Sequence, residues 1–305
     1  MISGMVRMKT LSMVLLLAVT TASAQSTPAT PMALPAEVAI FAVRHNVDGQ
    51  SLSIVPVVIV HYGSQEQAKV VPSLTQPVPQ RVTAEDYARF EKSFYQPGSN
   101  LSVFSGGSRL GVAKVTSSNV SFVEDEGSVL SAAISYHGAG KPRLAANTTS
   151  QIPGHLSTRR AATPAERSTL LRLAKQWLIE YGLDRRLLER GTLGEVISTE
   201  LRKGVGQALV GRFDVKSKRS THRLFAIAEP DGGSYRLTLA NLEVQPASSD
   251  EHTERTFVDQ LDINNDGVDE VITKTELYEN CFYDVWEFYA QDKGWSLKHS
   301  GGSCS

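Results

Sequence analysis

Oxygen-bearing residues recur at alternate positions in one short segment of the chain, 262–270. They stand at its first, third, fifth, seventh and ninth positions, the seventh through its main-chain carbonyl: Asp262, Asn264, Asp266, Val268 and Glu270. Gly267 permits the tight turn that lets these oxygens converge. A hard cation takes roughly six to eight oxygens, which these groups and water can supply. The segment predicts a calcium-binding loop; the alternative is a solvated acidic turn capped by its own Asp and Asn side chains.

The segment departs from an EF-hand loop at the position that closes that kind of site. Its twelfth residue is Thr273, where an EF-hand carries a bidentate Glu, so Glu270 must complete the ligand set. The flanking Phe-Val and Val-Ile pairs at 257–258 and 271–272 are β-prone, whereas an EF-hand is flanked by helices. This strand–loop–strand pattern, over about residues 257–278, resembles the calcium loops of FG-GAP and VCBS-type repeats, which occur in integrin heads and many exported bacterial proteins.

The resemblance implies a calcium ion that serves structure or adhesion, held by the five residues named above. Members of these families usually carry several copies of the loop in a propeller. This chain has one copy and no repeat period that covers its length. The resemblance therefore implies the ion and not the propeller fold.

The N-terminus has the three parts of a secretory signal. Arg7 and Lys9 precede an apolar stretch and an Ala-Ser-Ala site at 22–24. The apolar stretch, of about 12 residues, is too short to cross a bilayer core of roughly 30 Å. Cleavage of residues 1–24 predicts a soluble periplasmic or extracellular protein without a membrane span, and no Cys follows the stretch to accept a lipid. Removing Arg7 and Lys9 from 31 basic residues leaves 29 against 32 acidic ones, a net charge of −3.

Export changes the interpretation of the two cysteines, Cys281 and Cys304. In an oxidising compartment, an even pair near one terminus predicts a disulfide, here closing a loop of about 23 residues. The alternative is two free buried thiols. No C-x-x-C motif is present, so a metal or redox role has little support.

Composition and motifs leave catalysis without a candidate. The chain has 305 residues, 41% apolar and 21% charged, and its net charge of −1 gives no electrostatic basis for binding nucleic acid. It contains no H-E-x-x-H, no G-x-S-x-G and no complete P-loop, so the catalytic residues are unknown. We expect a binding or structural function, with a protein or glycan partner of unknown identity. The alternative is a secreted hydrolase acting on cell-wall or glycan material, in which the calcium loop is only structural.

Aromatic residues are dense after the acidic segment: Phe282, Tyr283, Trp286, Phe288, Tyr289 and Trp295. On a strand, Phe282, Trp286 and Phe288 share one face and Tyr283 and Tyr289 the other. The pattern favours core packing, against the alternative of a surface that stacks on sugar rings or on a partner protein.

Two helices are predicted to hold the sheets in place. Thr83 opens the first, over about 84–95, and Thr163 followed by Pro164 opens the second, over about 164–181, which Gly182 ends. Short β-prone runs separated by turn-forming clusters are predicted at 38–43, 52–62, 101–104, 110–115, 120–123, 129–136, 208–215, 224–228, 235–239, 257–261, 270–273, 281–289 and 295–299. Pro56 predicts an edge strand or a bulge in the second of them. The prediction is an α+β protein that is mostly β, with antiparallel sheets.

The chain divides by composition into a lead-in and two units. Residues 25–36 are rich in proline and small residues and predict a flexible lead-in. A β-rich unit with one helix is expected at 37–146, and a polar linker without apolar periodicity at 147–162. The C-terminal unit, 163–305, would contain a helix, the calcium loop and the disulfide-closed hairpin.

Overall fold

The computed structural model describes residues 37–46, 51–61, 83–121, 129–147, 152, 154–248, 253–278 and 281–301. The predicted signal, 1–24, and lead-in, 25–36, lie outside the described residues. Strands make up 58% of the structure and pair in antiparallel sheets, and two of the three helices are at least seven residues long. The predicted α+β, mostly β fold class is therefore confirmed. No helix in the described part of the chain is long and apolar enough to cross a membrane.

The N-terminal strands close into a barrel in the order β1-β2-β5-β4-β3-β6. Their bounds are β1 Glu37–His45, β2 Leu52–His61, β3 Asn100–Ser105, β4 Ser108–Ser121, β5 Val129–Ser135 and β6 Leu144–Ala146. Pro56 has no N–H to donate, and the register between β1 and β2 shifts where Phe41 pairs with it. Of the two outcomes predicted for this proline, the bulge is therefore the one present.

Helix α1, Ala84–Phe94, belongs to the barrel unit and begins where the sequence predicts. Thr83 caps it by accepting a hydrogen bond from the Asp86 N–H, and the Asp86 carboxylate accepts one from the Thr83 N–H in return. Its buried Phe90 and Phe94 pack edge-on against Phe41 of β1, with ring centroids 6.5 and 6.2 Å from that of Phe41. The aromatic spacing therefore builds the barrel core.

A five-stranded sheet follows in the order β11-β10-β9-β8-β7. Its strands are β7 Arg160–Ala161, β8 Thr192–Glu200, β9 Gln207–Lys216, β10 Ser220–Asp231 and β11 Ser234–Pro246. Helix α2, Pro164–Tyr181, packs Leu170, Ala174 and Leu178 on one face of this sheet, and the short α3, Arg185–Leu188, follows it. The capping box at Thr163 and the left-handed cap at Gly182 bound α2 as predicted.

A four-stranded sheet lies between the other two layers. Its order is β12-β13-β14-β15, with β12 Glu254–Leu261, β13 Glu270–Glu276, β14 Cys281–Tyr289 and β15 Gly294–Gly301. Because side chains alternate along a strand, Ile272 packs with the barrel core while Val271 packs with the five-stranded sheet. On β14, Tyr283 packs with the barrel core and Trp286 with the five-stranded sheet. Tyr283, Trp286 and Trp295 are therefore core, Phe288 packs against it, and Phe282 and Tyr289 are partly buried. The sheet that they belong to joins both neighbours.

Candidate functional site

The acidic loop, residues 262–269, connects β12 to β13, whose nearest pair is Leu261 with Glu270. The flanks are strands, as the sequence predicts, and not the helices of an EF-hand. The far side of the loop docks on the segment after β8: the Asp269 N–H donates to the Leu201 carbonyl at 2.8 Å and the Lys203 N–H to the Gly267 carbonyl at 3.2 Å. The loop therefore lies where the central sheet meets the five-stranded sheet.

Side-chain oxygens at the first and third positions meet at one N–H inside the loop. Asp262 Oδ1 and Asn264 Oδ1 both accept from the Asp266 N–H, at 3.1 and 3.0 Å. Asp262 Oδ2 accepts from the N–H of Gly267, whose φ of 85° makes the tight turn. These hydrogen bonds also belong to the capped-turn alternative, so the convergence of the oxygens is the feature that suits an ion.

The carbonyl of Val268 is directed to the same side. Val268 and Arg202 form an antiparallel bridge whose hydrogen bonds run through the residues on either side of them. In this pairing a residue turns its own N–H and C=O away from its partner. The Val268 N–H donates to Asp266 Oδ1 at 2.8 Å, so the carbonyl beside it also faces the loop.

Two of the predicted ligands are carboxylates that the fold has almost removed from water. Asp262 is 6% exposed and Glu270 7%, and burial raises the pKa of both. Glu270 Oε2 accepts from the Ile263 N–H at 2.8 Å, which turns it back over the loop. Four of the five predicted ligands thus place a side-chain oxygen on a main-chain N–H of the loop: Asp262, Asn264, Asp266 and Glu270. Among the described residues no group of three or more His, Cys, Asp or Glu side chains is already arranged to hold a metal ion.

In the described structure, the cation that pairs with a carboxylate of this loop is the imidazolium of His155. His155 Nε2 lies 2.9 and 2.8 Å from the two carboxylate oxygens of Asp269, and this bond raises the pKa of His155 to about 9. Its Nδ1 lies 3.1 Å from the Leu156 carbonyl oxygen. Both ring nitrogens are therefore engaged as donors to oxygen, and within the described residues no hydroxyl or thiol contacts the ring. This geometry fixes a segment in place and does not present a general base.

His155 belongs to a short connection, residues 154–161, which we call the strap. Arg159 of the strap donates to Asp259 Oδ1 at 2.6 Å, and Asp259 Oδ2 accepts from the Gly106 N–H at 2.8 Å. Asp259 is fully buried, and burial raises its pKa to about 6 although Arg159 opposes the shift. The strap thus ties the β3–β4 turn of the barrel to the central sheet through a buried ion pair.

The strap lies within the segment that the sequence predicts as a linker. Sequence reasoning misses its functional residues, His155 and Arg159, because they stand in a polar stretch without periodicity. Their partners, Asp259 and Asp269, lie about 100 residues away along the chain. Only the position of Asp259 inside a β-prone run hints at a buried carboxylate in need of a cation.

The predicted disulfide concerns Cys281 at the start of β14 and Cys304, which lies outside the described residues. The β14–β15 hairpin pairs Tyr283 with Gly301. Cys281 is two residues before that pair and Cys304 three residues after it. The bond stays a prediction.

Comparison of the chain with protein-family models, with curated proteins and with solved structures finds no match in any of the three. A function for this chain therefore has to be argued from the chemistry of the loop and its surroundings.

Proposed function

We propose that this chain is an exported calcium-binding protein of binding or structural type, in which the ion stabilises the β-rich C-terminal part. The observation that supports this proposal is the charge of the loop. Asp262, Asp266, Asp269 and Glu270 place four carboxylates within nine residues, and in the described structure the one ion pair among them is that of Asp269 with His155. Buried or crowded carboxylates need a compensating cation. The loop lacks positive charge that a divalent ion would supply.

Calcium suits the donors better than other common ions do. The predicted ligands are oxygens only, from two aspartates, one asparagine, one carbonyl and one glutamate, and the loop has no thiol or imidazole among them. Magnesium demands a smaller octahedral shell and keeps more of its water. Bound calcium would supply the missing positive charge, while Asp262 and Glu270 would hold it against the ends of β12 and β13.

The position of the loop suits a structural role. It joins two strands of the central sheet and hydrogen-bonds to residues 201–203, which follow β8 of the five-stranded sheet. Rigidity here would hold together the layers on which a binding surface for a protein or glycan could be built. The predicted signal supports a location in the periplasm or outside the cell, where thiols are oxidised and the predicted disulfide would form.

Isothermal titration calorimetry of metal-stripped protein tests the ion directly. Calcium should bind with a stoichiometry of one, and Asp262→Asn and Asp266→Asn should each weaken binding by about tenfold or more, because each removes charge from the ligand set. Asp292→Asn, in the exposed β14–β15 turn, removes the same charge elsewhere and should leave the affinity unchanged. Folded wild-type protein that releases no heat with millimolar calcium contradicts the proposal.

Export has its own measurement. N-terminal sequencing of the protein from the exported fraction should begin at Gln25, and thiol titration after denaturation should find no free Cys281 or Cys304. A mature protein that begins at Met1 is incompatible with a cleaved signal. Two titratable thiols would show that the cysteines are unbridged.

A further inference from the structure

A groove of about 630 Å³ runs along the outer side of helix α2 and ends at α3. Its wall is a stripe of residues spaced three to four apart from Ser168 to Glu180, which places them on one helical face, together with Arg185 of α3. The stripe is about 18 Å long at 1.5 Å per residue. The opposite face of α2, with Leu170, Ala174 and Leu178, is the one that packs on the sheet. Of the apolar groove residues, Leu171 also packs against the core between α2 and the sheet, whereas Ile179 does not belong to that core.

The floor of the groove is apolar. Leu171 is half-buried and Ile179 is 36% exposed, and the aliphatic stems of the long side chains beside them extend the apolar surface. Ile179 lies about two helical turns beyond Leu171, and Lys175 stands between them on this side of the helix. The aliphatic stem of Lys175 joins the two apolar side chains, and covering them with another apolar surface is favourable.

The rim of the groove is cationic. Arg172, Lys175 and Arg185 line it, and none of the three forms an ion pair within the described part of the chain. Glu180 is the single acid in the lining, and it accepts a hydrogen bond from Gln176 at 3.1 Å. The groove is thus positive on a chain whose total charge is negative.

We propose that this groove docks an acidic amphipathic helix of a partner protein. The apolar side chains of that helix would lie on Leu171 and Ile179, and its carboxylates beside Arg172, Lys175 and Arg185. Charge complementarity selects an acidic partner, and the apolar floor selects a segment with an apolar face over a small anion. The groove shares no residue with the calcium loop, so this interaction goes beyond the proposed calcium function and is independent of it.

The probe is a fluorescein-labelled synthetic helix with leucines on one face and glutamates along both flanks, measured by anisotropy with full-length mature protein. We expect saturable binding that weakens about tenfold or more in Arg172→Glu/Lys175→Glu, because four units of charge change beside the ligand. Ile179→Gln should weaken it by about threefold or more through loss of apolar contact. Binding should be the same in calcium and in chelator.

Matched controls separate docking from general charge. Lys218→Glu/Arg219→Glu makes the same charge change in the exposed β9–β10 turn, and Leu297→Gln removes an exposed apolar residue from β15. Both should bind the glutamate helix within about twofold of wild type, and the same helix with lysines in place of glutamates should not bind. The proposal is overturned by no binding at millimolar helix, by equal loss in the control variants, or by anionic vesicles that bind more tightly than the helix.

Discussion

Two groups of carboxylates lie near the end of β12, Asp259 within the strand and the four of the acidic loop after it, and their surroundings differ. Asp259 has a cation of its own, because Arg159 of the strap meets it at 2.6 Å and both side chains are buried. The loop that follows holds four carboxylates and one partly exposed imidazolium. A buried charge is stable when it is paired, and the first group is paired within the chain; we propose that a cation from outside completes the second.

The largest effect should come from breaking the internal pair. Arg159→Met keeps the packing volume but leaves Asp259 buried without a cation at pH 8, which should lower the free energy of unfolding by about 3 to 5 kcal/mol. Urea denaturation in chelator measures it. Arg236→Met breaks a surface pair with Asp231, whose side chain is 59% exposed, and should cost less than about 1 kcal/mol. Equal losses in the two variants would mean that burial of the Asp259 pair has no energetic consequence.

The pH dependence of Asp259 should be the next largest effect. Its pKa of about 6 in the folded protein lies above the ordinary 3.8 because of burial. A carboxyl with a raised pKa stabilises the fold below pH 3.8, and this contribution is lost as the pH rises through 6. Between pH 3 and pH 8, wild type should therefore lose about 3 kcal/mol relative to Asp259→Asn.

Urea denaturation of the two proteins across this pH range gives the difference directly. All other titrating groups are common to both proteins and cancel. If the difference in unfolding free energy is flat with pH, Asp259 keeps its ordinary pKa and Arg159 compensates its burial fully. The same series should show a smaller cost for Arg159→Met at pH 4 than at pH 8, because the protonated Asp259 needs no cation.

A feature of this protein can be predicted from the sequence when the residues that produce it lie close together along the chain. The signals for the acidic loop and for both long helices lie within a few residues of one another, such as the capping box of Thr163 with Glu166. Local spacing is therefore enough to predict them. The barrel closure depends on β6, three residues long, which pairs with β1 and β3. A run this short, Leu-Ala-Ala, carries no periodicity, so sequence reasoning has no means to place it.

The internal ion pair could not be predicted for a related reason. Arg159 and Asp259 are brought together by the packing of the strap between the barrel and the central sheet, and no spacing rule links positions 100 residues apart. The strands β7 and β8 are also absent from the predicted runs, which leaves the strap without any element to anchor it. Local chemistry predicts the acidic loop, and tertiary packing creates the ion pair of Asp259 with Arg159.

Calcium should stabilise the protein through the acidic loop, and this effect should not depend on the ion pair of Asp259. At a calcium concentration 100-fold above its dissociation constant, mass action should raise the free energy of unfolding by about 2.7 kcal/mol. Thermal melts in calcium and in chelator should therefore differ for wild type and for Arg159→Met, and coincide for Asp266→Ala. Magnesium should produce a smaller shift than calcium. Identical melts of folded wild type in calcium and chelator would show that the loop is complete without an ion.

The smallest and sharpest effect should come from the single cation that the loop already has. At pH 7.5 the imidazolium of His155, with a pKa of about 9, opposes the approach of a divalent ion to the carboxylates around Asp269. His155→Gln keeps a donor for Asp269 and removes the charge, so calcium affinity should rise by about threefold. The effect is modest because the side chain of His155 is 38% exposed and its charge is screened by water. Asp269→Asn should shift the affinity in the opposite direction. His45→Gln, whose ring contacts the Pro142 carbonyl at 3.0 Å, is the matched control and should change nothing. Calorimetry of the four proteins decides the point: weaker binding in His155→Gln would mean that this residue serves the loop by holding the strap in place, and that its charge is not in competition with the ion.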